Sequence, residues 1–401
     1  MSIEIRPLAG ADEVNAGFRV FLRSMVGLSF GEIDAVAVTE PGRFLGALDG
    51  TGIVGAADSY SGWLTVPGGA RVPHAAVTHV GVLPTHRRQG LVTRLLTRQL
   101  RDFADRGEIV ATLRASEAVI YERFGYGIAT SARSAQVRLA RAALRPELPA
   151  GGDVRLVDAA VRTDALAAIT DQAAWVGAIG RAPGWWTLHE LLHAGSPGPH
   201  YVVVHSTDGR DDGYAIYQPE NTGTWFSGQD RTVAVADFVA LNDSARIGLW
   251  RHLLSLDLVD VVSFGAVPLD DPLPLAVVDT RAVTSGSPYD ETWLRLVDVE
   301  AALAARTYAD EQPVVLAVTD PLLPENNGRF EIGPKAVTRT DAAADLGVDV
   351  ATLAAAYLGG TRWQQLAAVG RVTVPGGDQD AVARLDALFA TAALPFCGTG
   401  F

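Results

Sequence analysis

The chain has 401 residues, 33 of them Lys or Arg and 46 Asp or Glu, for a formal net charge of −13; this argues against a general nucleic-acid binder and allows an acidic surface or cleft that attracts polycations. With 48% hydrophobic and 20% charged residues and no apolar run of about eighteen residues, it reads as globular, in two or three domains, rather than disordered or membrane-inserted. One cysteine, Cys397, leaves no disulfide framework and no cysteine-based metal site, and the opening Met1-Ser-Ile-Glu-Ile-Arg-Pro has no signal-peptide pattern, so a cytoplasmic protein is expected.

Ile3, Ile5 and Leu8 open a short strand, and Phe44 to Tyr60 forms a hairpin around the turn pair Asp49-Gly50. The run Ala76-Val-Thr-His-Val-Gly-Val-Leu-Pro-Thr-His-Arg-Arg-Gln-Gly-Leu is a buried-looking strand that turns through Arg87, Arg88 and Gly90 into a helix. Val92, Leu95, Leu96, Leu100 and Phe103 put one apolar stripe on that helix, and Gly107 stops it. The loop therefore sits at a helix N-terminus, where orphan backbone N–H groups and the positive dipole end face an anion. Gly90 lets the backbone approach closely, and the two arginines add charge where a pyrophosphate would lie. A strand pattern, Ile109 to Glu117, follows, then Ala118-Val-Ile-Tyr-Glu-Arg-Phe-Gly-Tyr-Gly.

The Pro- and Gly-rich stretch Arg145-Pro-Glu-Leu-Pro-Ala-Gly-Gly-Asp marks a domain boundary. Beyond it, Tyr201–His205 and Gly213–Gln218 read as paired strands, and Thr232–Val239 leads through the N-cap cluster Asn242-Asp-Ser into a helix carrying Ile247, Leu249, Trp250, Leu253 and Leu254. The order strand, loop, helix repeats, but no Arg-x-x-Gly loop precedes this helix. Trp185 and Trp186 fit core packing better than a pocket wall. A second boundary falls near Thr284-Ser-Gly-Ser-Pro. After it, Thr292–Val297 and Val314–Thr319 alternate like strands, and Val350–Tyr357, Trp363–Val369 and Ala381–Ala393 read as helices.

Strand, Arg-x-x-Gly loop, helix, strand and Tyr-x-x-Phe-Gly-Tyr, in that order, resemble the acetyl-CoA-binding core of the GNAT acetyltransferases. The family loop usually continues to Gly or Ala where this chain has Val92. With Asp271-Pro-Leu-Pro, Asp279-Thr-Arg and Tyr357-Leu-Gly-Gly added, the whole chain resembles the Eis (enhanced intracellular survival) family. The resemblance implies an α+β fold: a GNAT domain at 1–145, a degenerate GNAT-like domain that binds no CoA at 151–284, and a sterol-carrier-protein-like domain at 289–401. It also implies a homohexamer without metal that uses acetyl-CoA as co-substrate to acetylate amines, notably at several positions of aminoglycosides. Protein lysines or polyamines are the alternative acceptors, and a non-catalytic lipid-binding or scaffold protein is the alternative class. The expected partner is a small cationic amine, with no nucleic acid and no membrane insertion.

Amide formation from a thioester needs a neutral amine, a stabilised oxyanion and a proton for the departing thiolate. A Lys-like amine, with a reference pKa of about 10.4, is mostly protonated at neutral pH, so a base must accept a proton. No His or Glu of the core motifs is obviously placed for this; His79 within a strand and His86 beside two arginines read as structural. The resemblance implies the α-carboxylate of Phe401 as base, with Gly400 where the family's tail often has an acidic residue; read without it, a chain end is a disordered tail. It likewise implies Tyr121 as the proton donor, with Tyr126 the competing phenol. Cofactor contacts are expected from Val80, Gly81 and Val82 to pantetheine and the thioester oxygen. The pyrophosphate would lie along Arg87, Arg88, Gln89, Gly90, Leu91, Val92 and Thr93, with Ser116 and Glu117 at the far strand's end.

Overall fold

The computed structural model describes residues 3–26, 28, 33–157, 162–195 and 198–401. The first third contains β1 (Glu4–Pro7), α1 (Gly10–Ser24), β2 (Leu45–Leu48), β3 (Ile53–Thr65), β4 (Arg71–Val82), α2 (Leu91–Asp105), β5 (Val110–Leu113) and β6 (Gly127–Arg138). The middle holds β7 (Asp153–Leu156), α3 (Arg162–Thr170), α4 (Pro183–Gly195), β8 (Tyr201–Thr207), β9 (Arg210–Pro219) and β10 (Thr232–Ala240). It continues with α5 (Asp243–Leu254), β11 (Val261–Pro268), α6 (Leu273–Ala276), β12 (Val283–Ser285) and β13 (Tyr289–Leu296). The last part comprises α7 (Val299–Ala305), β14 (Val314–Thr319), β15 (Gly328–Ile332), β16 (Val337–Arg339), β17 (Leu346–Asp349), α8 (Val350–Tyr357), α9 (Trp363–Ala368) and α10 (Asp380–Leu388).

Strands β1 to β13 form one sheet in the order β1-β2-β3-β4-β5-β13-β6-β11-β10-β9-β8-β7, with β12 also on β6. Two parallel pairs, β4 with β5 and β10 with β11, each enclose a crossover helix, α2 and α5. Between them the two halves exchange strands. Gly127 to Ala132 of β6 pairs with β13, and Ala132 to Arg138 pairs with β11, so the first half's last strand completes the second half's sheet. In return β13 slots between β5 and β6.

The sequence reading puts Thr292–Val297 in the third domain; the structure seats that strand in the large sheet. Its two faces explain the difference. Trp293 joins the core beneath α2, whereas Leu294 and Leu296 join the third-domain core. Because both of its faces are buried, its apolar pattern marks a strand without telling which unit owns it.

The third domain's own sheet runs β16-β15-β14-β17. Helix α8, every residue of which is buried, lies between this sheet and the large one and packs on β6 and β13. Gly127 makes the approach possible, because a Cβ there would collide with the Ala351 carbonyl and the Ala355 nitrogen. The buried Arg306 guanidinium donates to the Tyr357 and Phe389 carbonyls at the C-terminal ends of α8 and α10, with the Phe389 ring 4.1 Å beneath it. Helix α10 ends at Leu388, short of the Ala393 expected from its apolar pattern, with the Arg306 contact on the next carbonyl. Among the described residues no helix is long and apolar enough to cross a membrane.

Candidate active site

Strands β4 and β5 pair from His74 and Val110 to Val77 and Leu113 and then part: β5 ends, while β4 continues to Val82 against β3. A bulge bends β4 at that point. Asp58 faces Thr78 and Ala56 faces Gly81, so β4 carries one extra residue, and His79 takes φ +50°. Such backbone strain persists only where the surroundings hold it. The His79 ring lies 3.1 Å from Asp58 Oδ2 and among Phe18, Phe21, Phe44 and Tyr60, buried from solvent, so its place is structural. The result is a wedge between the diverging strand ends, with the backbone of Val80, Gly81 and Val82 along one side.

After Val82 the chain makes a short turn, Pro84–His86, tied to the β2–β3 turn by His86 Nε2, 3.1 Å from Asp49 Oδ2. Arg88 and Gly90 both take positive φ, +62° and +75°, and Gly90 caps α2 without any side-chain hydrogen bond and with no acidic residue in the first turn. A cavity of about 380 Å³ opens here. Arg87, Arg88, Gly90, Thr93 and, unforeseen from the sequence, Arg123 line it. Arg123 comes from the Tyr121-Glu-Arg-Phe turn; its position two residues after Tyr121 was the only available signal. Gln89 is exposed beside it. Leu91 is 2% exposed, so only its backbone can face a ligand. Val92, where the family loop has Gly or Ala, packs partly into the core while bordering the cavity.

Strand β5 stops at Leu113 rather than running to Glu117, because β4 has left it and Arg114 turns to Glu291. Ser116 and Glu117 are exposed at the strand's end. Tyr121 follows between two short 3-10 turns, 6% exposed, its ring 6.2 Å from that of Tyr126. Burial, reinforced by the Glu117 charge and only partly offset by the Ser116 hydroxyl, holds the Tyr121 phenol above its ordinary pKa, so it stays protonated. Tyr126 is deeper, and burial raises its phenol as well. Glu122 pairs with Arg371 at 2.5 Å and so pins the Tyr121 turn to the third domain.

The chain's end is anchored, contrary to the usual behaviour of tails. Phe396 N donates to the Val176 carbonyl (3.0 Å), Trp175 Nε1 to the Phe396 carbonyl (3.0 Å), Arg181 Nε to Thr399 Oγ1 (3.1 Å) and Trp185 Nε1 to the Gly400 carbonyl (2.5 Å). The Phe401 ring packs against the cluster of Tyr60, Ala76 and Ala182. Tyr121 belongs to the cluster of Ala75 and Val77. Residues 75 to 77 alternate across β4, so Tyr121 and Phe401 lie on opposite faces of that strand where it begins to leave β5.

The sequence matches the acetyltransferase (GNAT) domain family over residues 24–129 and again over 177–296, and the sterol carrier protein domain family over 299–398. It is 35% identical to N-acetyltransferase Eis of Mycobacterium tuberculosis over 86% of this chain and 85% of that one. The chain belongs to the Eis family of GNAT N-acetyltransferases. An uncharacterized N-acetyltransferase of Streptomyces avermitilis is 36% identical over the full length of both chains. The crystal structure of Eis1 from Mycobacterium abscessus superposes with a TM-score of 0.93 at 52% identity, covering 99% of this chain and 100% of that one.

GNAT acetyltransferases use acetyl-CoA; in this Eis-family chain the wedge and the uncapped helix lie in the first of the two GNAT domains. The second domain keeps the frame and even a bulge, at Ala236 in β10. Its helix N-terminus is occupied by its own side chains: Asn242 Oδ1 accepts from Ala245 N at 2.9 Å, and Asp243 adds a carboxylate in the first turn. Trp185 and Trp186 are mostly buried, in edge-to-face contact at 4.9 Å, and they also border a cavity of about 160 Å³ between this domain and the tail. Among the described residues no cluster of His, Cys, Asp or Glu could hold a metal ion.

Proposed function

We propose that the chain transfers the acetyl group of acetyl-CoA to amino groups of small polycationic amines, aminoglycosides among them and at more than one position. Tyr121 is the proton donor and the Phe401 α-carboxylate the base. The observation that carries this reading is the anchored tail, with Phe401 on one face of β4 and Tyr121 on the other at the mouth of the wedge. The α2 N-terminus suits the cofactor: uncapped backbone N–H groups at Gly90 and three arginines fit a pyrophosphate. The edge of β4 that β5 leaves after Val77 offers N–H and C=O groups to the pantetheine amides and an N–H to the thioester oxygen.

The amine lone pair attacks the thioester carbonyl carbon while the Phe401 carboxylate takes the proton leaving nitrogen. The carbon–sulfur bond then breaks, the departing sulfur takes the Tyr121 phenolic proton, and solvent returns a proton from the carboxyl group to the phenolate. A net charge of −13 favours cationic acceptors. Work as a homohexamer in the cytoplasm is part of the same reading, and the hexamer rests on the family resemblance.

A thiol-release assay with acetyl-CoA against a kanamycin-class aminoglycoside, spermidine and a Lys-containing peptide tests this. More than one acetyl per aminoglycoside, lost in Tyr121→Phe, is the expected result. Turnover of the peptide or spermidine alone makes the chain a protein-lysine or polyamine acetyltransferase; silence on all three points to another acyl donor and, if that too fails, to the lipid-binding or scaffold class.

A further inference from the structure

We propose that Glu291 is the positioning residue of the C-terminal base: its carboxylate clamps the tail a few residues before Phe401 and ties it to the end of β5. The proposal rests on the reading of Phe401 as base. Glu291 stands on β13, the exchanged strand, and its side chain is fully buried. Four donors converge on it. Cys397 N and Thr130 Oγ1 each donate to Oε2 at 2.9 Å; Gly398 N donates to Oε1 at 2.8 Å and Arg114 Nη2 to the same oxygen at 3.2 Å.

Two successive backbone amides on the two oxygens of one carboxylate fix both the place and the direction of the tail. The chain then turns at Gly398 (φ +70°), and three residues, able to span at most roughly 10 Å, remain to the terminal carboxylate. Arg114 directly follows β5, two residues before Ser116, so the same side chain joins the tail to the strand whose end borders the cofactor wedge. The chemistry of the site calls for an anion: all four hydrogen bonds are donated to it, and an amide at position 291 would in either orientation aim its NH2 at a backbone N–H. Glu291 touches neither substrate nor cofactor; it acts through the tail.

The test combines steady-state kinetics with hydrogen exchange of the tail amides and removal of Phe401 by carboxypeptidase. Glu291→Gln is expected to lower kcat on the order of 10²-fold with the KM for acetyl-CoA unchanged, to release exchange protection at Cys397 and Gly398, and to speed loss of Phe401. Glu291→Asp, which keeps the charge but shortens its reach, is expected to recover part of each and serves as the readout if the amide variant does not fold. Wild-type turnover in Glu291→Gln, or lost turnover with a tail as protected as in wild type, overturns the proposal. A chain extended by one alanine beyond Phe401 separates the two ideas. Full turnover there, with a tail loosened by Glu291→Gln, overturns the base and supports the clamp; lost turnover there beside an unaffected Glu291→Gln supports the base and overturns the clamp.

Discussion

The two GNAT domains of this chain are built on the same strand–helix–strand frame, but α2 and α5 begin differently. Helix α2 starts at a glycine in the left-handed region, without a side-chain cap and beside Arg87, Arg88 and Arg123. Helix α5 starts at Asn242, whose amide caps the first turn, braces Asp212 at 2.9 Å and is followed by Asp243. A side-chain cap and an acidic residue in the first turn compete with an anion for the N–H groups and the dipole; an N-terminus without them leaves both open to one. The domains also depend on each other, since each lends the other a strand.

The largest expected effect breaks that exchange. A chain ended at residue 145 lacks β13 and leaves β5 without the partner that runs from Trp293 to Leu296. It is expected to give no cooperative unfolding transition by circular dichroism and no retention of CoA; a folded fragment that binds CoA would show that the first domain is self-sufficient. Next in size is Tyr121→Phe, expected to lower kcat by about 10²–10⁴-fold with the melting temperature kept, whereas Tyr126→Phe stays within about tenfold. Because burial and Glu117 hold the Tyr121 phenol above its ordinary range, the wild-type rate should not lose its proton donor on the alkaline side up to about pH 10.

A double change of Arg87→Ala and Arg88→Ala sharpens the contrast between the helices. It is expected to raise the KM for acetyl-CoA by about tenfold or more, in a salt-dependent manner, through lost attraction for the pyrophosphate. Acid stability sharpens it further. His74 of β4 is fully buried, its Nε2 2.6 Å from Thr112 Oγ1, and burial, then the Arg43 charge, push its pKa down to about 3. The unfolded chain takes up this proton near pH 6.5 and the folded chain does not, so stability falls as pH drops from about 6.5 toward 3, by up to about 1.4 kcal/mol per pH unit. Urea midpoints at pH 7 and pH 5 should converge in His74→Leu. The smallest effect is Asn242→Ala: about 1 kcal/mol of stability lost by denaturant unfolding, with the KM for acetyl-CoA untouched.

Much of the frame that positions the proposed site was legible because its signals are local. The apolar stripe from Val92 to Phe103, the Gly90 turn and the Asn242 cap all act within a few residues, and α2 and α5 stand where those patterns put them. The bulge at His79 left no signal, since it arises from the mismatch of two strands rather than from either alone. Arg123 was overlooked because only the fold of the Tyr121 turn brings it across to the α2 cradle.

By itself the sequence determined the Gly90 turn into α2, the strand–helix frames of the two GNAT domains and three of the third domain's helices, through spacings set by the 3.6-residue turn and the two-residue pleat; its motifs carried the family resemblance. Tertiary structure alone decided that β13 lies between β5 and β6, that Glu291 grips a tail more than one hundred residues away, and that Phe401 returns to the first domain. Those contacts join elements far apart in the chain: four donors offset the cost of burying the Glu291 charge, and apolar rings are buried in shared cores, neither of which any window of neighbouring residues encodes.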